Sequence, residues 1–203
     1  MKNELIQRFG KDRVSEVPVK EGEIPLLMIE LDLGSKVRVL VTNGLHQYKM
    51  PVPETEVGKE YIELYFCLPS YWEPSEFENP RMNWIYYWIQ RLVKYVQEKE
   101  TWFGHGHTMP TGKEALPLSD TMKQNYFMLS DPILLERELR PIQVGDKEVR
   151  FLAIIPLFER EFMYKQGKTT RKLMKKFIHH KVDEKLDDFR ESVMRSRIFH
   201  RRF

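Results

Sequence analysis

His105 and His107, one residue apart, are the first place in this chain where chemistry could reside. They lie in the run Thr101-Trp102-Phe103-Gly104-His105-Gly106-His107-Thr108-Met109-Pro110. Imidazoles bind metals and move protons. A metal site, however, needs at least three protein ligands in fixed geometry. Glu114 is the nearest following carboxylate, and His179-His180 lies far along the chain. No metal site is therefore expected, and a metal-binding enzyme built on His105 and His107 is the alternative reading of this pair. A covalent mechanism would need a nucleophile beside a base. Cys67 sits inside an apolar run, and Ser70, Ser75 and Ser119 lack the G-x-S-x-G context of a nucleophile elbow. No phosphate loop or dinucleotide fingerprint occurs. The sequence thus points to no catalytic residue, no cofactor and no enzyme.

What remains is recognition. Aromatic and Met side chains with polar neighbours are the usual anchors of protein interfaces. Tyr95, Trp102, His105 and His107 are the candidate protein-binding residues, with Phe103, Met109 and the Tyr71-Trp72 pair beside them. The plainer alternative for each aromatic is that it plugs the core while the glycines make the turn.

Several elements must position these residues. Val37 to Val41 is β-rich and ends at Thr42-Asn43-Gly44, a turn signal. Pro25 to Leu31 reads as its partner strand. Glu60 to Leu68 alternates, with Ile62, Leu64, Phe66 and Leu68 on an apolar face and Tyr61, Glu63, Tyr65 and Cys67 opposite. Pro69 should stop it. A loop from Tyr71 to Pro80 follows, carrying Trp72, Phe77 and three glutamates. Asn79-Pro80 then looks like a helix start, and Trp84, Ile85, Trp88, Ile89, Leu92, Val93 and Val96 recur at helical spacing.

Further on, Tyr126 to Leu129 predicts a strand. Arg150 to Ile155 is a near-continuous apolar run, expected as a central strand buried on both faces and ended by Pro156. Glu159 to Gln166 predicts a short helix stopped by Gly167. Thr170 to Arg197 predicts one long helix with Met174, Ile178, Val182, Leu186, Phe189 and Val193 as its stripe. Asp131 and Glu161 are expected only to fix strand and helix ends. The expected fold class is an α/β (α+β) sandwich, a mixed β-sheet flanked by helices, with a long C-terminal helix. The expected organisation is an N-terminal segment over 1–23, a domain over 24–178 and a basic helical extension over 179–203.

Composition narrows the partners. The 203 residues include 41% hydrophobic and 12% aromatic side chains, enough for a core. Net charge is +3, which does not suggest nucleic acid. Between Lys165 and Phe203 there are thirteen Lys or Arg against five Asp or Glu. That basic end, with Arg195, Arg197, Arg201 and Arg202, reads as a solvated helical face that could also meet phosphate or an acidic protein. A single cysteine excludes an internal disulfide. No signal peptide is visible, and no apolar run nears the roughly 20 residues of a membrane helix. A cytoplasmic location is expected, with no membrane partner. No oligomeric state is implied.

An order of segments emerges: Leu40-Val41-Thr42-Asn43-Gly44-Leu45, the aromatic helix ending Leu92-Val93-Lys94-Tyr95-Val96, then Gly106-His107-Thr108, Leu129-Ser130-Asp131-Pro132, Val149-Arg150-Phe151-Leu152 and Pro156-Leu157-Phe158-Glu159-Arg160-Glu161. From about Ile24 to about Ile178 this resembles the suppressor of fused domain family, in its short single-domain bacterial form. The resemblance implies a non-catalytic α/β sandwich that binds proteins. Animal members bind zinc-finger transcription factors of the Hedgehog pathway, holding a short peptide as an added strand. The stretch resembling Tyr95 and the loop around His107 belong to that binding region. Two departures stand out: the animal proteins' second domain has no counterpart here, and Gly106 is followed directly by His107 where they have Gly-Asp-His. Short bacterial relatives are proposed as immunity proteins of polymorphic toxin systems. The implied partner is thus a cognate toxin, or alternatively a transcription-factor peptide.

Overall fold

The computed structural model describes residues 1–73 and 79–194. Phe77 and two glutamates of the 71–80 loop, and Arg195 to Phe203 of the basic end, lie outside the described residues.

The β-rich run and its partner form the expected antiparallel pair: β2 (Leu26–Asp32) and β3 (Lys36–Thr42), in register Met28 with Leu40. β1 (Val14–Val17) adds outside β2, and β4 (Ile62–Pro69) adds to the other side of β3. The remaining strands are β5 (Thr108–Pro110), β6 (Tyr126–Ser130), β7 (Ile142–Val144) and β8 (Lys147–Leu157). The order across the sheet is β1-β2-β3-β4-β8-β6-β5, with β7 paired to β8. β4 and β8 are parallel and every other pair is antiparallel. The sheet is open, mixed and covered on both faces, the expected fold class.

β4 differs from its alternating pattern: all eight residues are buried. Parallel strands are covered on both faces, so polar-looking positions are buried too. Leu64, Phe66, Leu152 and Ile154 face a core shared with helix α2 (Trp84–Glu98). Tyr65, Cys67, Phe151 and Ile155 face a second core shared with helices α1 (Lys2–Phe9) and α4 (Thr170–His179). The central strand β8 is buried on both faces as its composition predicts, but it runs through Pro156 to Leu157. Pro156 pairs with Phe127.

The N-terminal segment joins this architecture. Leu5 of α1 is fully buried, and Arg8 donates to the carbonyls of Glu138, Arg140 and Pro141. α2 begins later than Asn79-Pro80 suggests. Asn79 instead closes a preceding turn, its side chain accepting from the Arg81 N–H at 3.0 Å and its carbonyl from Met82 and Asn83. The short helix α3 (Glu159–Gly167) forms as expected.

The long C-terminal helix does not form. α4 stops at His179. Lys181 takes φ +56°, the Val182 N–H donates to the Phe177 carbonyl at 2.9 Å, and Lys181 N–H donates to Ile178 at 3.1 Å. These are the two bonds of a Schellman ending. Such endings favour glycine, and a lysine gave no stop signal. The apolar residues beyond it then serve different contacts. Leu186 and Val193 are buried, whereas Phe189 is 84% exposed. The Leu186 N–H donates to Cys67 at 2.8 Å, so this segment adds briefly to the side of β4.

Three buried carboxylates tie loops to the sheet. Glu63 accepts from the Thr42 hydroxyl and the N–H groups of Gly44, Leu45 and His46, with His46 Nδ1 at 2.5 Å. Glu184 accepts from the N–H groups of Ile133, Leu134 and Leu135 and from the Tyr65 hydroxyl. Glu161 accepts from the N–H groups of Phe158 and Val193 and from Arg190. A buried carboxylate is tolerated only with such donors.

Candidate functional site

α2 ends as α4 does. Glu100 takes φ +44°, and the Thr101 N–H reaches back to the Val96 carbonyl at 3.1 Å. This ending turns the chain out of the helix and into the Trp102 loop. Two contacts hold the loop base: the Phe103 N–H lies 3.3 Å from Met50 Sδ, and the Tyr48 hydroxyl donates to the Thr101 carbonyl at 3.4 Å.

From that base the loop reaches the edge of the sheet. The Gly106 N–H donates to Leu129 at 2.7 Å, and the Leu129 N–H donates to His107 at 2.8 Å, which registers the loop beside β6 before β5 begins. Gly106 has φ +85°, and a Cβ there would lie 2.5 Å from Thr170 Oγ1. At Gly104 a Cβ would meet the Trp102 ring at 2.5 Å. Both glycines thus permit close approach as well as a turn.

The structure sets Trp102, His105 and His107 on one loop and Tyr95 in the last turn of the helix before it. Tyr95, 48% exposed, stacks on buried Phe103 with ring centroids 6.2 Å apart. The Trp102 and His107 rings meet edge to face at 4.3 Å, and both are half-buried. Trp102 packs against the first core while keeping part of its ring outside. Phe103 and Trp72, by contrast, are core plugs at 3% and 1% exposure, so neither is a surface anchor.

His105 is the more exposed histidine. Its Nδ1 accepts from the Asp131 N–H at 3.1 Å, with Ser130 Oγ at 3.5 Å. Asp131 also approaches Arg150 at 3.7 Å. Asp131 therefore does more than end a strand: it orients His105 and draws Arg150 toward it. His107 has its pKa lowered, chiefly by burial and then by the Lys165 cation, against smaller raising effects from the Trp102 backbone and Glu56. Lys165 in turn donates to Thr108 Oγ1 at 3.4 Å. The lowered pKa favours the neutral, amphipathic form of the His107 ring.

Other candidates fall away from this loop. Cys67 is buried, and burial and nearby Glu184 push its thiol far above the ordinary range, so it is a core group. The rings of His179 and His180 contact each other at the end of α4. Among the described residues no three His, Cys, Asp or Glu side chains gather as metal ligands would. No helix among them is long and apolar enough to cross a membrane. The sequence reading missed Arg190 and the pairing of His46 with Glu63. A signal existed for the second, since Glu63 interrupts an apolar strand.

An open mixed sheet between helices, with aromatic and histidine side chains on the loop beside its edge strand, defines an α/β sandwich domain by its architecture. The family model for suppressor of fused protein matches residues 22–190, and the chain belongs to that family. Its fold is similar to the crystal structure of a suppressor of fused homologue from Neisseria gonorrhoeae FA 1090, at 17% identity and TM-score 0.64, covering 96% of this chain and 97% of that one. It is also similar to the Sufu–Fu complex crystal structure, at 17% identity and TM-score 0.65, covering 94% and 89%. Drosophila Suppressor of Fused matches at 18% identity and TM-score 0.59 over 85% of this chain and 44% of that one. No curated protein matches.

Proposed function

We propose that this chain is a non-catalytic, cytoplasmic protein-binding domain that acts as an immunity protein, neutralising a cognate polymorphic toxin by direct contact. The observation that carries the reading is the ridge formed by Tyr95 on Phe103 and Trp102 on His107, beside His105. Large rigid aromatics backed by a core lose little entropy on binding, which suits them as anchors. The short strand β5 ends the sheet beside the ridge, so an extended segment of the partner could add to it. The Sufu–Fu complex is a protein assembly of a related fold, which favours a protein partner over a small molecule. It also supports a second reading, in which the captured segment belongs to a regulatory protein such as a transcription factor.

Co-expression with toxin domains encoded beside this gene tests the proposal. The wild type is expected to restore growth, and Trp102→Ala with His107→Ala to lose that protection while remaining folded. Protection that survives both substitutions would remove the ridge from the mechanism. Failure of the wild type to protect against any of these toxins would remove the immunity reading.

A further inference from the structure

The outward face of α2 carries a row of its own. Tyr87, Arg91 and Tyr95 stand one turn apart, and the two tyrosines are 55% and 48% exposed. Arg91 between them is held rather than free. Its guanidinium lies 5.3 Å from the Trp88 ring and 5.7 Å from the Tyr87 ring, and it donates to the Tyr87 hydroxyl. No carboxylate pairs with Arg91 among the described residues, whereas Lys94 on the next turn reaches Glu98 at 3.6 Å. A cation oriented in advance over aromatic faces, with no anion of its own, is suited to an incoming carboxylate.

Arg91 and Lys94 form one wall of an open groove of about 980 Å³. Glu21 and Glu23 stand on the opposite wall, with Ile24 and Val93 also lining it. That wall is pinned to the helix: the Gln90 side chain accepts from the Ile24 N–H at 3.0 Å and donates to the Ile24 carbonyl at 2.8 Å. A second hollow of about 480 Å³ shares Glu23, Tyr87 and Gln90, so the groove continues past Tyr87.

Its charges select the occupant. A nucleic acid brings closely spaced phosphates and binds mainly through them. Here it would meet Glu21, Glu23 and Glu98 along with two cations. A polypeptide can instead present one charge of each sign to opposite walls. We propose that this groove binds a protein segment carrying an Asp or Glu for Arg91 and a Lys or Arg for the Glu21–Glu23 wall. The inference rests on the reading of the chain as a protein-binding domain. It gives that domain a second anchor, on the helix that leads into the Trp102 loop.

The test pans the full-length protein against a random peptide display library, then measures synthetic copies of the enriched peptides by fluorescence anisotropy. The enriched peptides are expected to share an acidic and a basic residue at constant spacing. Arg91→Glu, and separately Glu21→Lys with Glu23→Lys, should each weaken them by about tenfold or more. Met163→Ala, at an exposed position on α3 outside both surfaces, should leave them unchanged, and circular dichroism melts should show the variants folded. Enriched peptides without the charge pair, or indifferent to Arg91→Glu, overturn the proposal. If such peptides are lost on Trp102→Ala instead, the loop ridge stands and this groove does not. No enrichment at all also overturns the proposal, leaving the ridge to be judged by toxin protection.

Discussion

Arg190 grips Glu161 with both terminal nitrogens, at 2.6 and 2.9 Å, where the Glu161 side chain is fully buried and that of Arg190 is 11% exposed. One nitrogen also donates to the Pro156 carbonyl at 3.0 Å, and the guanidinium lies 4.9 Å from the Phe158 ring. A residue beyond α4 is thereby fastened to the end of β8 and the start of α3. The irregular stretch after His179 is thus fixed by a few specific bonds.

Removing one partner should be costly, because the other is then left charged and buried. Glu161→Ala is expected to destabilise by roughly 3–5 kcal/mol, read as a lowered urea midpoint. Replacing both, as Glu161→Leu with Arg190→Met, should recover part of the loss. Full recovery is not expected, since the Phe158 and Val193 N–H groups would still lack their acceptor. A Glu161→Ala variant as stable as wild type would mean that the pair does not anchor the segment.

Gly106→Ala should destabilise through two separable effects. Its φ of +85° costs about 1–3 kcal/mol for an alanine, and the new methyl would press on Thr170. Gly58→Ala, at φ +90° with nothing within 4 Å, isolates the backbone cost alone. Thermal melts should rank Gly106→Ala below Gly58→Ala, and Thr170→Ala in the Gly106→Ala background should narrow the gap. Equal melts for the two glycine variants would show that the Thr170 contact yields freely.

His107 sets a pH dependence. Its folded pKa lies below its unfolded value near 6.5, so between the two the unfolded chain binds more protons. Its contribution to stability is present above about pH 6.5 and is lost as pH falls through that value toward the folded pKa. Melting temperatures from pH 8 down to 4.5 should therefore fall less steeply for His107→Gln than for wild type. An unchanged slope would locate the acid sensitivity elsewhere.

Much of the fold was legible because its cues are local. The β-rich run Val37 to Val41, the turn at Asn43-Gly44 and the helical spacing of Trp84 to Val96 can each be read over a few neighbouring residues. The helix expected through Arg197 failed on a single residue, Lys181, which adopts a left-handed conformation more usual for glycine. Of the site, the loop and its aromatics were visible as a cluster of types. Their division was not: Phe103 and Trp72 go inward, while Tyr95 stays half outside.

The sequence by itself determined β2, β3, β4, β6, β8, the body of α2, α3 and where the unusual loop falls, because hydrophobic period and turn chemistry act over a few neighbours. It also carried the ordered segments by which the family is recognised. Only the tertiary structure decided that Asp131 orients His105, that Glu63, Glu161 and Glu184 are buried anchors, and that Arg91 faces a groove walled by Glu21 and Glu23. Those relations join residues far apart in the chain. They arise only once strands such as β4 and β8 pair in one sheet and helices pack on its two faces, which no local pattern specifies.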